Sequence, residues 1–451
     1  MVISYFFPPL GGGGVQRTLK FVKYLSKFNW QSLVLTAKNT GYHARDNTLL
    51  SDVPKGTNVT RSFTIEPNIV SSFARFILKL LLSFKNKKLA INRSDVPENL
   101  NVSRKRKIKD FLLSLYQTFF FPDDKIGWLP LAFFHAYKIR TNVELIYTTS
   151  PPHSVQLIGL FMKIKSKKPW VVDFRDPWSQ SSYLFYWKFL RKFSQYLERL
   201  VLNKADHIIV ASHGIKREFF QIHKNIPKRK ISVITNGYDP DDFSDINNRN
   251  YRKRKFIISH TGTIYGERSL SIFIGILIEW IKENPIIEKK FEFQQVGTVG
   301  IDEGKKIKNQ INSSGFSGLF KTYGYLNHKK TIQILKESTL LILINSDDET
   351  GKVTLPGKLF EYIALKKPIL ALVPDGEAQQ LIDETGCGVV VNPNKPDKIK
   401  EILSKLYKYY STGTLSNHFK FKNVDRFDRE KLTGELVRIL NTVTNLYNSS
   451  R

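Results

Sequence analysis

Between Thr339 and Val373 the sequence spells strand, loop, helix and strand, and that order constrains the fold more than any other stretch. Thr339-Leu-Leu-Ile-Leu-Ile344 is a continuous apolar run, the pattern of a strand covered on both faces of a parallel sheet. The acidic loop Asn345–Thr350 leads to Thr354-Leu-Pro-Gly-Lys-Leu-Phe-Glu-Tyr-Ile-Ala364, and a second strand follows in Pro368-Ile-Leu-Ala-Leu-Val373. Pro356 suits the first position of a helix, where an N–H would lack a partner in any case. Gly357 lets a ligand come close to the backbone, and Lys358 adds a cation beside amides already directed outward. Glu361 lies one turn beyond Lys358 and can face the same ligand. A strand feeding a helix with an anion-accepting start, and then a strand again, is a site for a nucleoside diphosphate.

The rest of the chain alternates strand and helix in the same way, the pattern of doubly wound parallel sheets. Val2–Phe7 reads as a first strand, followed by the loop Pro8-Pro-Leu-Gly-Gly-Gly-Gly14, a helix over 15–28 and a second strand over 31–36. Further strands are predicted at 145–150, 169–174, 205–212 and 231–235, and, past a polar linker, at 256–261, 291–297, 320–324 and 386–391. These divide into an N-terminal domain over 1–240 with a basic and aromatic insertion at about 74–140, a linker over 241–255, and a second domain over 256–420. The tail, 421–451, carries a helix-compatible pattern.

Three places besides the 354–364 helix carry candidate chemistry. Gly12 and Gly13 lie in a glycine run between a strand and a helix, where backbone can approach an anion, although plain flexibility explains such a run too. Asp173-Phe-Arg-Asp-Pro-Trp178 puts Asp173, Arg175 and Asp176 at the end of a strand, where open α/β sheets build their sites; an internal ion pair is the alternative. His153, in Ser150-Pro-Pro-His153 at the neighbouring strand end, would face the same cleft; an ordinary loop histidine is the alternative. Gly262-Thr-Ile-Tyr-Gly-Glu-Arg268 opens the second domain with Gly262 and Thr263 after a strand and Arg268 before a helix, a guanidinium fork suited to a diphosphate. The acidic pairs Asp123-Asp124, Asp241-Asp242 and Asp347-Asp348 read as solvated turns rather than metal ligands.

In this order the motifs resemble GT-B glycosyltransferases of the large retaining family 4. Tyr5-Phe-Phe-Pro-Pro-Leu-Gly-Gly-Gly-Gly-Val-Gln-Arg17 is similar to the opening of those chains, and Pro356-Gly-Lys-Leu-Phe-Glu-Tyr362 to their donor-binding helix. The resemblance implies two Rossmann-like domains facing a central cleft. It implies a nucleotide-sugar donor with the diphosphate at the helix start, Glu361 on the ribose, Tyr325 near the base, and Arg268 with Lys358 as the basic pair. Arg175 or Asp176 stands nearest the family's cleft residue, often a histidine, and the last helix is expected to cross back to the first domain. Many members carry an earlier glutamate eight residues before Glu361; here that place is Val353. Transfer with retention, and neither metal nor cofactor, complete what the resemblance implies.

Charge points to the partners. The chain has 451 residues and a net charge of +30, which calls for an acidic partner or surface, although a lysine-rich composition alone would also produce it. Residues 75–109 mix Lys and Arg with Phe, Ile and Leu, which suits an anionic membrane interface better than a nucleic-acid groove. No apolar stretch reaches the roughly 20 residues needed to cross a bilayer, and the single cysteine, Cys387, excludes an internal disulfide. The opening Met-Val-Ile-Ser-Tyr lacks the basic region of a secretory leader. The expectation is a cytoplasmic protein, peripheral on the inner face of the plasma membrane, that passes a sugar to a lipid-linked or oligosaccharide acceptor in surface polysaccharide synthesis. A soluble nucleotide-sugar 2-epimerase and a non-catalytic basic binding protein on the same scaffold are the rivals.

Overall fold

The computed structural model describes residues 1–38, 40–42, 44–66, 118–180, 188–244, 255–264 and 269–449. The expected interfacial stretch 75–109 and Arg268 both lie outside the described residues. Contacts divide the chain into two compact units, Met1–Tyr5 with Leu33–His43 and Asn58–Ile208, and Phe6–Ser32 with Ala44–Thr57 and Ile209–Arg451.

Two sheets carry the fold. The first has strands β1 (Val2–Ile3), β2 (Leu33–Lys38), β3 (Asn58–Phe63), β4 (Ile146–Ser150), β5 (Trp170–Phe174), β6 (His207–Val210) and β7 (Ile231–Val233), in the order β3-β2-β1-β4-β5-β6-β7. The second has β8 (Phe256–Thr261), β9 (Phe291–Val296), β10 (Phe320–Thr322), β11 (Leu340–Ile344), β12 (Ile369–Leu372) and β13 (Gly388–Val391), in the order β10-β9-β8-β11-β12-β13, every pairing parallel. Each order runs outward from its first strand, then reverses to the other side, the doubly wound topology of a Rossmann domain.

Among the described residues the longer helices of the first unit are α2 (Leu129–Lys138), α3 (Ser154–Ser166) and α4 (Lys188–Lys204), with α1 (Gly13–Leu25) in the second. The second unit continues through α5 (His213–Ile222), α6 (Leu270–Glu283), α7 (Ile301–Ser314), α8 (His328–Glu337), α9 (Glu349–Val353), α10 (Gly357–Ala364), α11 (Glu377–Thr385), α12 (Pro396–Ser411) and α13 (Arg429–Ser449). Helix α13 packs along α1.

Strand β11 shows why the second unit folds as it does. Its side chains alternate between two cores: Leu340, Ile342 and Ile344 pack with α6, whereas Leu341 and Leu343 pack with Leu359, Phe360, Tyr362 and Ile363 of α10. A run apolar at every position is what a strand with helices on both faces requires. Boundaries differ from the sequence reading at both ends of the first strand–helix pair. β1 closes at Ile3 rather than Phe7, and α1 opens at Gly13 because Gly12, at φ 81°, turns the chain into it. Pro356 stands just before the first turn of α10, not within it. Strand β3 is an addition: Asn58-Val-Thr-Arg-Ser-Phe63 is polar and lies at the sheet's edge, so no apolar run announces it.

Candidate functional site

In the second sheet the order reverses between β8 and β11, the place where open α/β sheets bind ligands at the carboxyl ends of their strands. Lys358, on the first turn of α10, reaches the end of β8. Its Nζ donates to the Thr261 carbonyl at 2.5 Å and lies 3.1 Å from His260 Nε2. His260 Nδ1 is 2.7 Å from the Gln295 side-chain oxygen, so Nδ1 carries the proton and Nε2 accepts from the ammonium. Beneath Lys358 sits Gly262, at φ 101°, where a Cβ would come within 3.0 Å of Nζ. Gly297 at the end of β9 (φ 118°) lies against Gly262, and a Cβ there would meet the Gly262 carbonyl at 2.5 Å. Thr263 accepts a hydrogen bond from the Thr298 hydroxyl at 3.2 Å. The Tyr362 hydroxyl, 3.2 Å from the Thr261 N–H and 3.3 Å from the Ile342 carbonyl, pins α10 across β8 and β11. Pro356 and Gly357 therefore present the start of a rigidly seated helix.

Glu361, one turn along, is held by a residue no local pattern signals. Its Oε1 is 3.0 Å from Nε2 of His328, the first residue of α8, whose backbone N–H donates to Asp46 Oδ2 at 2.8 Å. Burial disfavours charge on His328, yet the bond to Glu361 and the nearby Asp242 carboxylate hold its pKa above the ordinary value. Tyr325 reaches the glycine loop: its hydroxyl occupies the space a side chain at Gly11 would need. Gly12 supplies the left-handed turn before α1, and Gly13 opens onto free space.

The first unit uses its strand ends differently. The Asp173 carboxylate is fully buried and accepts from the Tyr147 and Thr149 hydroxyls, both at 2.8 Å. The Arg175 guanidinium donates to the carbonyls of Ser150 (3.1 Å) and Pro151 (2.6 Å), bracing the turn after β4. His153 is 3% exposed and stacks face to face on Trp178, with ring centroids 5.2 Å apart. Burial, aided by the Arg175 charge, pushes its pKa down to about 3, so the ring is neutral. Of these candidates Asp176 alone is exposed. Asp123 is not in a solvated turn: it accepts the Ser154 N–H (2.7 Å) and hydroxyl (2.9 Å) at the start of α3, and burial pushes its pKa up to about 6.

Structural comparison decides the architecture. HepE from Anabaena, crystallised with UDP-glucose, superposes with a TM-score of 0.62 at 15% identity over 98% of this chain and 99% of that one. Sucrose-phosphate synthase from Thermosynechococcus elongatus gives 0.64 at 13% identity, over 99% and 98%. A glycosyltransferase from Rickettsia africae gives 0.60 at 15%, over 98% of each chain. The chain has the GT-B fold. Residues 99–242 also match the family model described as Glycosyltransferase Family 4. No curated protein matches the chain in sequence.

One polar cluster of this GT-B chain escaped the sequence reading. Asp52, Asp239 and Asp242 converge closely enough to hold a cation, and the cation is the chain's own. Lys20 Nζ, its side chain 2% exposed, stands 2.7, 2.7 and 2.6 Å from their oxygens, and Lys23 meets Asp239 and Asp241 at 2.7 Å. Burial would strip the proton from Lys20, but the three carboxylates override it and hold its pKa well above normal. Asp242 thus belongs to a buried ion cluster, a correction to its reading as a solvated turn. Arg17 adds hydrogen bonds to the Thr235 and Ile234 carbonyls at 2.7 and 2.8 Å. The partners of Lys20 lie 32 and more than 200 residues away in sequence.

Proposed function

We propose that the protein is a glycosyltransferase that takes its sugar from a nucleotide-sugar. The observation that carries this reading is the ammonium of Lys358 poised over Gly262, at the reversal point of the second sheet and on the opening turn of α10. Charge builds on the nucleoside diphosphate as it departs, and a fixed cation beside a helix start stabilises that charge more than it stabilises the bound donor. Arg268, by its place in the sequence, joins Lys358 in this role. Glu361, oriented by His328, takes the ribose hydroxyls, and Tyr325 lies toward the base. UDP-glucose in the HepE structure supports a nucleotide-sugar as donor.

The acceptor belongs with the first sheet, where Asp176 is an exposed carboxylate just beyond the end of β5. Retention of configuration and a metal-independent reaction follow from the family resemblance. The net charge of +30 and the basic, apolar stretch 75–109 support an anionic membrane surface on the cytoplasmic side, where a lipid-linked glycan of surface polysaccharide synthesis would be met. The test is hydrolysis across a panel of UDP-, GDP-, ADP- and dTDP-sugars, with calorimetry of the free nucleotides. One nucleotide class should be both bound and released. Failure of every donor to hydrolyse, with no nucleoside diphosphate bound, overturns the reading.

A further inference from the structure

Helix α4 buries Leu190, Val201 and Leu202, as a surface helix should, but its outer face is unusually rich in rings. Its inward face includes Ser194 and Glu198, both fully buried, and Glu198 accepts from the Ser179 N–H (3.3 Å) and hydroxyl (2.6 Å). Its outward face carries Phe189, Phe193 and Tyr196, 56%, 48% and 47% exposed. Spaced four and three residues apart, these rings form one stripe. Lys188, Arg191, Lys192 and Arg199 surround it, and the helix's single acid is the buried Glu198. The rings also touch one another: Phe193 stacks on Phe121 at 5.2 Å and on Tyr196 at 6.3 Å, with the Arg199 guanidinium 5.9 Å from the Tyr196 centroid.

The neighbouring helices expose apolar side chains of their own. Helix α3 packs against α4 and exposes Phe161 and Ile164 beside Lys165. Phe161 meets Phe133 of α2 at 6.0 Å, and α2 exposes Phe134 at 63%.

A solvated helix ordinarily turns its charges outward and its apolar side chains in. Rings set among lysines and arginines, with no exposed acid on the helix, make the composition that settles into a lipid headgroup layer, rings toward the acyl boundary and cations on the phosphates. A second copy of the chain docking here would bring the same cations against each other. An anionic bilayer complements them instead. Among the described residues no helix is long and apolar enough to cross a membrane, so the surface would be lain upon, not inserted through.

We infer that the α2–α3–α4 face of the first unit docks on an anionic lipid surface, with Phe189, Phe193 and Tyr196 entering the headgroup region. This rests on the membrane-side reading of the proposed function, and adds to it the face and residues that make contact. Cys387 is the chain's single cysteine and is buried, so Tyr196→Cys in the full chain can carry an environment-sensitive dye (with Cys387→Ala as background). Vesicles of phosphatidylcholine mixed with phosphatidylglycerol should shift the dye emission to the blue, salt should reverse the shift, and phosphatidylcholine alone should produce none. Phe189→Ser with Phe193→Ser should lower vesicle partitioning about tenfold or more, since each ring loses its apolar burial. Should that pair unfold, Lys192→Gln with Arg199→Gln, both exposed, should weaken binding and flatten its salt dependence.

A dye that stays unshifted while the protein pellets with anionic vesicles places docking elsewhere and overturns the inference, leaving the membrane reading intact. A shift that tracks protein concentration without lipid assigns the face to a second copy and also overturns it. No vesicle binding at all removes both. Nucleoside-diphosphate binding by the same protein tests the transferase reading separately.

Discussion

His153 follows β4 in the first unit and His328 opens α8 in the second, and the pKa values of the two imidazoles are shifted in opposite directions. Burial acts against charge on both. At His153 the Arg175 guanidinium adds to it, and the pKa falls to about 3. At His328, whose side chain is 15% exposed, Glu361 and Asp242 reverse it, and the pKa rises above normal. Two sheets of the same doubly wound order therefore put their strand ends to different use. At the β4–β5 end the charged side chains are engaged internally, Asp173 with Tyr147 and Thr149, Arg175 with two carbonyls. The β8–β11 end keeps a lysine at the start of a helix. Topology sets where a crevice forms, while the side chains decide whether it is filled by the protein or left for a ligand.

The largest expected effect tests the closed end. Asp173→Ala strands two buried hydroxyls and should cost about 3 kcal/mol of stability in urea unfolding, with nucleotide affinity unchanged in the folded protein. A stable variant that has lost transfer would return Asp173 to the site. Next in size, Glu361→Ala should weaken binding of the preferred nucleoside diphosphate by about 2 kcal/mol, roughly 30-fold by calorimetry, with only a small change in stability. Equal affinity would remove the ribose role. Lys358→Ala should cost about 1 kcal/mol of the same affinity, because the backbone amides of the helix start remain. It should lower turnover more than affinity if the ammonium acts on the departing diphosphate.

Much of this comparison was legible beforehand, and its limits were physical. Strands β11 and β12 stood out because both their faces are buried, so each run is apolar throughout. Lys358 and Glu361 lie one turn apart, and local spacing suffices to pair them. Their partners do not follow from spacing. His260 lies 98 residues from Lys358 and His328 lies 33 from Glu361, and only the closed fold brings them together. Lys20 reads as an ordinary lysine between Leu19 and Phe21 until Asp52, Asp239 and Asp242 surround it. Asp173 and Arg175 misled in the other direction: charged residues at a strand end look available, and whether tyrosine, threonine and backbone carbonyls already occupy them is a tertiary fact.

Effects spread over pH separate the two histidines by sign. A pKa lowered in the folded state means the native protein binds fewer protons than the unfolded chain, so stability from His153 is present above about pH 6.5 and lost as pH falls toward about 3. The raised pKa of His328 works oppositely. Its contribution is full below about pH 6.5 and declines as pH rises through the folded value. In urea titrations His153→Gln should flatten the acid limb and His328→Gln the limb above about pH 6.5, each by up to about 1.4 kcal/mol per pH unit, the slope of one proton. Slopes of the same sign for both would break the comparison.

The central claim is that the donor's diphosphate sits at the β8–β11 end, against the start of α10. Amide hydrogen exchange of the full chain, with and without the nucleoside diphosphate it binds, reads this directly. Protection is predicted in peptides covering Thr261–Ile264 and Pro356–Glu361, and none in those covering Ser150–His153 and Phe174–Trp178. Protection confined to the second pair, with Pro356–Glu361 exchanging as in the free protein, would contradict the account.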